Sequence, residues 1–207
     1  MYLDKPLRNY LDDLASAQPT PGGGSAAALS GAMGAALACM VSRLTLGKAD
    51  YADVQEEITP LLQQAEQLRE RFQQLMQQDI AAYGTLSASF KLPRTTAEEK
   101  AARTKAVQES LKEAALVPLA MAESAAELVN YCLRIAQIGN ARVLSDIATA
   151  SALAVSAGNG ASWMVRVNVT SMKDQELVGK LNHRLEQALQ TLATVSPQVK
   201  ETVEKRG

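Results

Sequence analysis

The chain has 207 residues, 22 acidic and 21 basic side chains, one histidine and a formal net charge of −1. With no global positive field it has no footprint for nucleic acid, and any anionic ligand has to be held by a local Lys/Arg cluster. One histidine and two well-separated cysteines, Cys39 and Cys132, exclude a histidine-based triad, a zinc site and a disulfide framework.

The apolar share is 47% but aromatics are only 4%, so Ala and Leu carry the hydrophobic content, a mixture that favours helix. The charged start MYLDKPLRNYLDD lacks the apolar stretch of a signal peptide, which leads to the expectation of a cytoplasmic protein. A first helix is expected over about residues 4–16, with Leu7, Tyr10, Leu11 and Leu14 on one face. Gln18-Pro19-Thr20-Pro21-Gly22-Gly23-Gly24-Ser25 then forbids helix, and Ser25 is the expected N-cap of a second helix reaching about Leu46. Within it the stretch from Ser25 to Ser42 carries no charge and is long enough to span a bilayer. It consists mostly of Ala, Gly and Ser, which gain little from lipid, so a buried central helix is expected instead of a membrane span.

A long third helix is expected from about Ala52 to Phe90, with Pro60 in its first turns. One apolar row reads Leu61, Leu68, Leu75, Ala82; the other reads Ala65, Phe72, Asp79, Leu86. A carboxyl group in an apolar row is the most informative feature of the sequence. Lys91-Leu92-Pro93-Arg94 breaks the chain, and Thr95 or Thr96 caps a fourth helix. Its seam of Val107, Leu111, Ala114, Pro118, Met121, Ala125, Leu128, Cys132 and Ile135 ends at Gly139-Asn140. A fifth helix is expected from a Ser145 or Asp146 cap to about Val169, interrupted at Gly158-Asn159-Gly160. Asp174 caps a sixth, with Val178, Leu181, Leu185, Ala188, Leu192, Val195 and Val199 inward and His183 exposed. The fold expected is one all-α domain over 1–207, an antiparallel bundle of about six helices. Its flat Ala/Gly helix suggests a homodimer.

Four groups of residues could carry chemistry. Three glycines ahead of a helix N-terminus expose backbone amides to a polar or anionic ligand, but no GK[ST] follows, so this is no nucleotide P-loop. Asp79 and Tyr83 lie four apart on one helix face, and burial would raise the aspartate's pKa toward the range of a proton-transfer group. Lys91 and Arg94, followed by Arg103 and Lys105, could hold an anionic tail or simply be solvated. Asn140, Ser145, Asp146, Asn168 and Asp174 sit at helix ends, where capping is the commoner role.

Taken together, these residues resemble the cyclodeaminase/methenyltetrahydrofolate cyclohydrolase family. The resemblance is carried by Pro19-Thr20-Pro21-Gly22-Gly23-Gly24-Ser25-Ala26-Ala27-Ala28, by Gly31 to Leu37 and by Met40 to Lys48. Asp79 with Tyr83, Lys91-Leu92-Pro93, Gly139-Asn140, Ser145-Asp146, Asn168 and Lys173-Asp174 follow in order. It implies a tetrahydrofolate substrate, no separate cofactor, no metal and no membrane or nucleic-acid partner. The expected reaction is hydrolysis of 5,10-methenyltetrahydrofolate to 10-formyltetrahydrofolate. Release of ammonia from 5-formiminotetrahydrofolate is the alternative. Asp79 is the expected acid/base, with Asp146 and Tyr83 as further catalytic candidates. Pro21, Gly22, Gly23, Gly24, Ser25, Lys91, Arg94, Asn140, Ser145 and Asn168 are expected to bind substrate. The rival readings are a non-enzymatic helical interaction protein and a folate-binding subunit.

Overall fold

The computed structural model describes residues 2–207. Among them there are six α-helices and no strand: α1 (Leu7–Leu14), α2 (Gly23–Arg43), α3 (Gln55–Phe90), α4 (Ala97–Ile138), α5 (Leu144–Val169) and α6 (Gln175–Arg206). Short 3₁₀ turns at Tyr2–Asp4, Ala49–Val54 and Ala141–Val143 join them.

The apolar rows of α3, α4 and α6 form the core. Leu61, Ala65, Leu68, Phe72, Leu75 and Leu86 of α3 are buried, as are Leu111 to Ile135 along the seam of α4 and Leu181, Leu185, Ala188, Leu192 and Val199 of α6. Both cysteines are buried and His183 is exposed, as expected. The face expected of α1 is different: only Tyr10 is buried, while Leu7 and Leu11 face outward. A helix of two turns cannot bury a long stripe.

Helix α2 packs between α3 and α5, with α4 behind. By length and composition α2 is apolar enough to cross a membrane, but 67% of that stretch is buried in the bundle. Its small residues have a geometric reason. A Cβ on Gly31 would lie 2.4 Å from the ring of Phe72, so glycine lets α3 insert an aromatic side chain against the α2 backbone. Gly31→Ala is expected to overpack this contact and lower stability by about 1–3 kcal/mol, measurable by urea denaturation.

Two helix starts differ from expectation. Gly22, not Ser25, is the N-cap of α2, and Ser25 occupies the third helical position. Val143 occupies the N-cap of α5, so Ser145 and Asp146 fall inside its first turn and do not cap it. The expected interruption at Gly158-Asn159-Gly160 does not occur, and α5 is continuous. These glycines are there for close packing: a Cβ on Gly158 would lie 2.2 Å from Leu192, and one on Gly160 would lie 3.1 Å from the Cβ of Ala27. Thr96 and Asp174 cap α4 and α6 as expected, Thr96 in a reciprocal capping box with Glu99.

At the far end of α4 the guanidinium of Arg206 meets the orphan carbonyls of Ala136 and Gly139, the second at 3.1 Å. This ties the C-terminus of the chain to the end of the longest helix.

Candidate active site

The site grows from two local facts of sequence. Pro19 and Pro21 keep the chain out of helix, and the Thr20–Pro21 peptide is cis. The glycines that follow start α2 with bare backbone, so its first amides have no side chains over them. Asp79 of α3 fills that space. A Cβ on Gly24 would stand 2.1 Å from Asp79 Oδ1 and 2.5 Å from its Cγ, so the carboxyl group lies directly on the first turn of α2.

Two opposing influences act on that carboxyl. Burial disfavours the charged form, while the backbone N–H of Ser25 donates to it and favours the charged form. Burial wins, and the pKa is pushed up from 3.8 to about 6. Asp79 enters no salt bridge among the described residues. A carboxyl group that is neither paired nor fully solvated, with a pKa near neutrality, is suited to move a proton.

The surroundings of Asp79 come from four helices. From α1, Tyr10 places its hydroxyl 3.2 Å from Ser25 Oγ. From α3, Tyr83 stands one turn on and is exposed. From α5, the thioether of Met164 rests 3.6 Å from where a Cβ on Gly23 would be. Asn168, one turn beyond Met164, reaches α4, where its Nδ2 donates to the carbonyl of Ala114 at 2.7 Å and also to that of Met164 at 2.8 Å.

The Asn168 contact has a clear cause. Pro118, four residues after Ala114, has no N–H, so the Ala114 carbonyl lacks its helical donor. Asn168 supplies one from the neighbouring helix. Its amide nitrogen is therefore structural, and any ligand contact falls to its amide oxygen. Asn168→Ala is expected to cost about 1–2 kcal/mol in stability by leaving that carbonyl unsatisfied, checked by denaturant melts.

The remaining expected site residues are distributed differently. Helices α2 and α5 run antiparallel: Gly23 meets Met164, Ala27 meets Gly160 and Gly34 meets Ala150. The start of α5 therefore lies at the opposite end of α2 from Asp79. Asn140 confirms this, since its amide nitrogen donates to the Leu44 carbonyl and its backbone N–H to Thr45 Oγ1. Between Gly24 and Leu44, α2 spans roughly 30 Å. Within one chain, Asn140, Ser145 and Asp146 therefore do not meet Asp79. Asn140 is also consumed by the fold, because its Oδ1 accepts from the Arg142 N–H.

Ser25 Oγ is committed as well, donating to the Gly22 carbonyl and accepting from the Gly22 N–H. Its contribution to the site is its backbone N–H. Lys91 and Arg94 are exposed in the α3–α4 turn, about 18 Å along α3 from Asp79. Arg103, by contrast, is occupied by the Phe90 carbonyl. Tyr10 carries a single signal in the sequence, a hydroxyl on an otherwise apolar face of α1.

The arrangement defines an all-α bundle protein with a part-buried carboxyl of raised pKa seated on a glycine helix start. Residues 6–187 match the family described as Formiminotransferase-cyclodeaminase, and the chain belongs to that family. It is 37% identical to a methenyltetrahydrofolate cyclohydrolase of Methylorubrum extorquens, across 97% of this chain and 96% of that one. It is 33% identical to the rat formimidoyltransferase-cyclodeaminase, covering 99% of this chain but 38% of the longer protein. The crystal structure of a formiminotetrahydrofolate cyclodeaminase from Thermotoga maritima superposes with a TM-score of 0.89 at 26% identity, over 99% of this chain and 98% of that one.

Proposed function

We propose that this chain hydrolyses 5,10-methenyltetrahydrofolate to 10-formyltetrahydrofolate, with Asp79 as the group that moves the proton. The observation that carries this reading is the unpaired, half-buried carboxyl on the α2 amides, with its pKa raised to about 6. Support for the substrate comes from the Methylorubrum extorquens cyclohydrolase, which matches over nearly the full length of both chains.

The chemistry fits the group. The methenyl carbon lies between N5 and N10 in a cation, and an adjacent carboxylate stabilises it. Ionised Asp79 takes a proton from water as the oxygen bonds to that carbon. The tetrahedral adduct then collapses: its hydroxyl proton is released to solvent as the C=O forms, the C–N5 bond breaks, N5 is protonated, and the carbon remains on N10 as a formyl group. Asp79 can hand the same proton to N5, so one residue serves as base and then acid. The exposed Lys91 and Arg94 suit the anionic glutamate tail, which lies at the far end of the substrate from the reacting carbon.

A second reading is favoured by the Thermotoga maritima neighbour. In it N10 attacks the formimino carbon of 5-formiminotetrahydrofolate, and protonated Asp79 supplies a proton to the departing ammonia. An absorbance assay of the methenyl chromophore separates the two. Loss of the chromophore from the methenyl substrate supports hydrolysis, and its appearance from the formimino substrate supports deamination. Activity with neither removes the enzymatic reading in favour of a helical interaction protein. Hydrolysis as proposed also predicts that kcat/KM falls on the acid side of about pH 6, where Asp79 becomes protonated and can no longer accept a proton.

We also propose a homodimer through α2 and α5. Along the outward side of α2, Ala26, Met33, Ala36, Leu37 and Met40 carry no charge until the exposed Arg43 at its last position, and Trp163 and Val167 of α5 are 65% and 62% exposed. A two-fold axis across the middle of α2 sets two copies of the helix antiparallel. The Asp146 end of one copy then lies beside the Asp79 end of the other, which is the one arrangement that gives Asp146 a place in the chemistry. A dimeric mass in light scattering, reduced to a monomer by Met33→Arg, is the expected result.

A further inference from the structure

We infer that Tyr10 is a positioning residue for the reaction, holding Asp79 through Ser25; this rests on the reading of Asp79 as the acid/base. The argument starts from the protons available. A serine hydroxyl has one proton and two lone pairs. Ser25 Oγ donates its proton to the Gly22 carbonyl at 2.8 Å and accepts the Gly22 N–H at 3.2 Å. One lone pair is left, and the hydroxyl of Tyr10 stands 3.2 Å away. Ser25 has no second proton to give, so Tyr10 is the donor in that bond. Ser25 is then saturated, and Tyr10 closes the network.

That network is buried: Tyr10 is 2% exposed and Ser25 0%. Water cannot replace the tyrosine if its hydroxyl is removed. The Asp79 carboxyl lies directly on the turn to which Ser25 belongs, against the neighbouring Gly24, and the Ser25 backbone favours its charged form. One residue therefore joins the phenol of α1, the opening turn of α2 and the carboxyl of α3. The Asp79 charge is felt at the phenol, which burial and that charge both push upward in pKa.

The other groups packed at this level offer no alternative anchor. Helix α2 has no ionisable side chain between Gly22 and Cys39, and α5 presents Met164 and Asn168. On α4, Lys112 and Glu113 beside Ala114 are solvent-exposed, and Tyr83 on α3 is exposed as well. The ring of Tyr10 is fixed independently by an edge contact to Tyr2, with centroids 5.3 Å apart. Phenylalanine at this position therefore keeps the packing and removes only the donor.

The test is Tyr10→Phe, with Ser25→Ala as a second route to the same network. Three quantities are read: the titration midpoint of the Asp79 carboxyl by ¹³C NMR, the kcat and KM for the methenyl substrate, and the melting temperature. With the Ser25 turn loosened, its N–H stabilises the carboxylate less. The Asp79 midpoint is expected to rise in both variants, with kcat down by about tenfold, as loss of one orienting hydrogen bond gives, and KM little changed. The double variant is expected to be no worse than the weaker single one. A lower melting temperature with the Asp79 midpoint and kcat unmoved would overturn the proposal, leaving Tyr10 a structural residue. The NMR readout needs no turnover, so it stays informative even if Asp79→Asn shows that another group performs the chemistry.

Discussion

Asp79→Asn is expected to lower kcat by about 10²–10⁴-fold, the usual contribution of a positioned acid/base, while the protein becomes more stable, not less. Asparagine is isosteric and its amide oxygen can still accept the Ser25 N–H. What it removes is the cost of ionising a buried carboxyl. The folded pKa of about 6 stands above the ordinary 3.8. Below about pH 4 the group is protonated in both the folded and unfolded states and contributes no penalty. Between about pH 4 and 6 the unfolded chain ionises first, so stability falls as pH rises, and above 6 the full penalty applies. Two pKa units correspond to at most about 3 kcal/mol, so at pH 7.5 the variant is expected to melt several degrees higher than the parent. Circular dichroism melts at pH 4 and 7.5 check the sign, because the gain should be present at the higher pH and absent at the lower. A variant that loses both activity and stability would mean that Asp79 holds the fold together.

The second large effect is expected from Gly24→Ala. The added methyl carbon would lie 2.1 Å from Asp79 Oδ1, 2.5 Å from Cγ and 2.7 Å from Oδ2, so the carboxyl has to leave the α2 amides. Asp79 is a short side chain on a long, well-packed helix and has little room to retreat. Turnover is expected to fall nearly as far as in Asp79→Asn, by about 10²-fold or more, as displacement of a reacting group by an ångström or more gives. The neighbouring Gly23→Ala is the control, since its methyl group would make an ordinary 3.6 Å contact with Met164. Alanine is a better helix former than glycine, so this variant should fold, and because it leaves Asp79 in place its turnover is expected to fall far less than that of Gly24→Ala. A collapse of activity in both variants would point to a general need for bare backbone along the turn and away from the specific seat of Asp79.

Much of this was legible from residue spacing. The heptad rows of α3 name its inward face, and the intrusion of Asp79 into that face singles out the carboxyl that lies on the first turn of α2. The glycine run located the start of α2, although not its cap: Ser25 looks like an N-cap by type, yet the chain starts the helix three residues earlier because glycine permits it and Asp79 needs the exposed turn. Other parts were not legible because they depend on contacts between distant segments. The sequence cannot show that Pro118 strips the Ala114 carbonyl of its donor and that Asn168, more than fifty residues later, restores it. It equally hides the antiparallel run of α2 and α5, which carries Asp146 to the far end of the chain's own bundle. Gly158 and Gly160 read as a helix break because glycine weakens an isolated helix, but here Leu192 and Ala27 require the space. Tyr10 reads as a core residue because nothing local announces that its hydroxyl meets Ser25, fifteen residues later.

The pH dependence of kcat/KM for loss of the methenyl chromophore tests the central claim most directly. The Asp79 account predicts an acid limb with a midpoint near 6 in the parent protein, the value its burial imposes, and no such limb in the residual turnover of Asp79→Asn, because the group that titrates has been removed. Near-normal turnover in the variant, with the same limb still present, would contradict it.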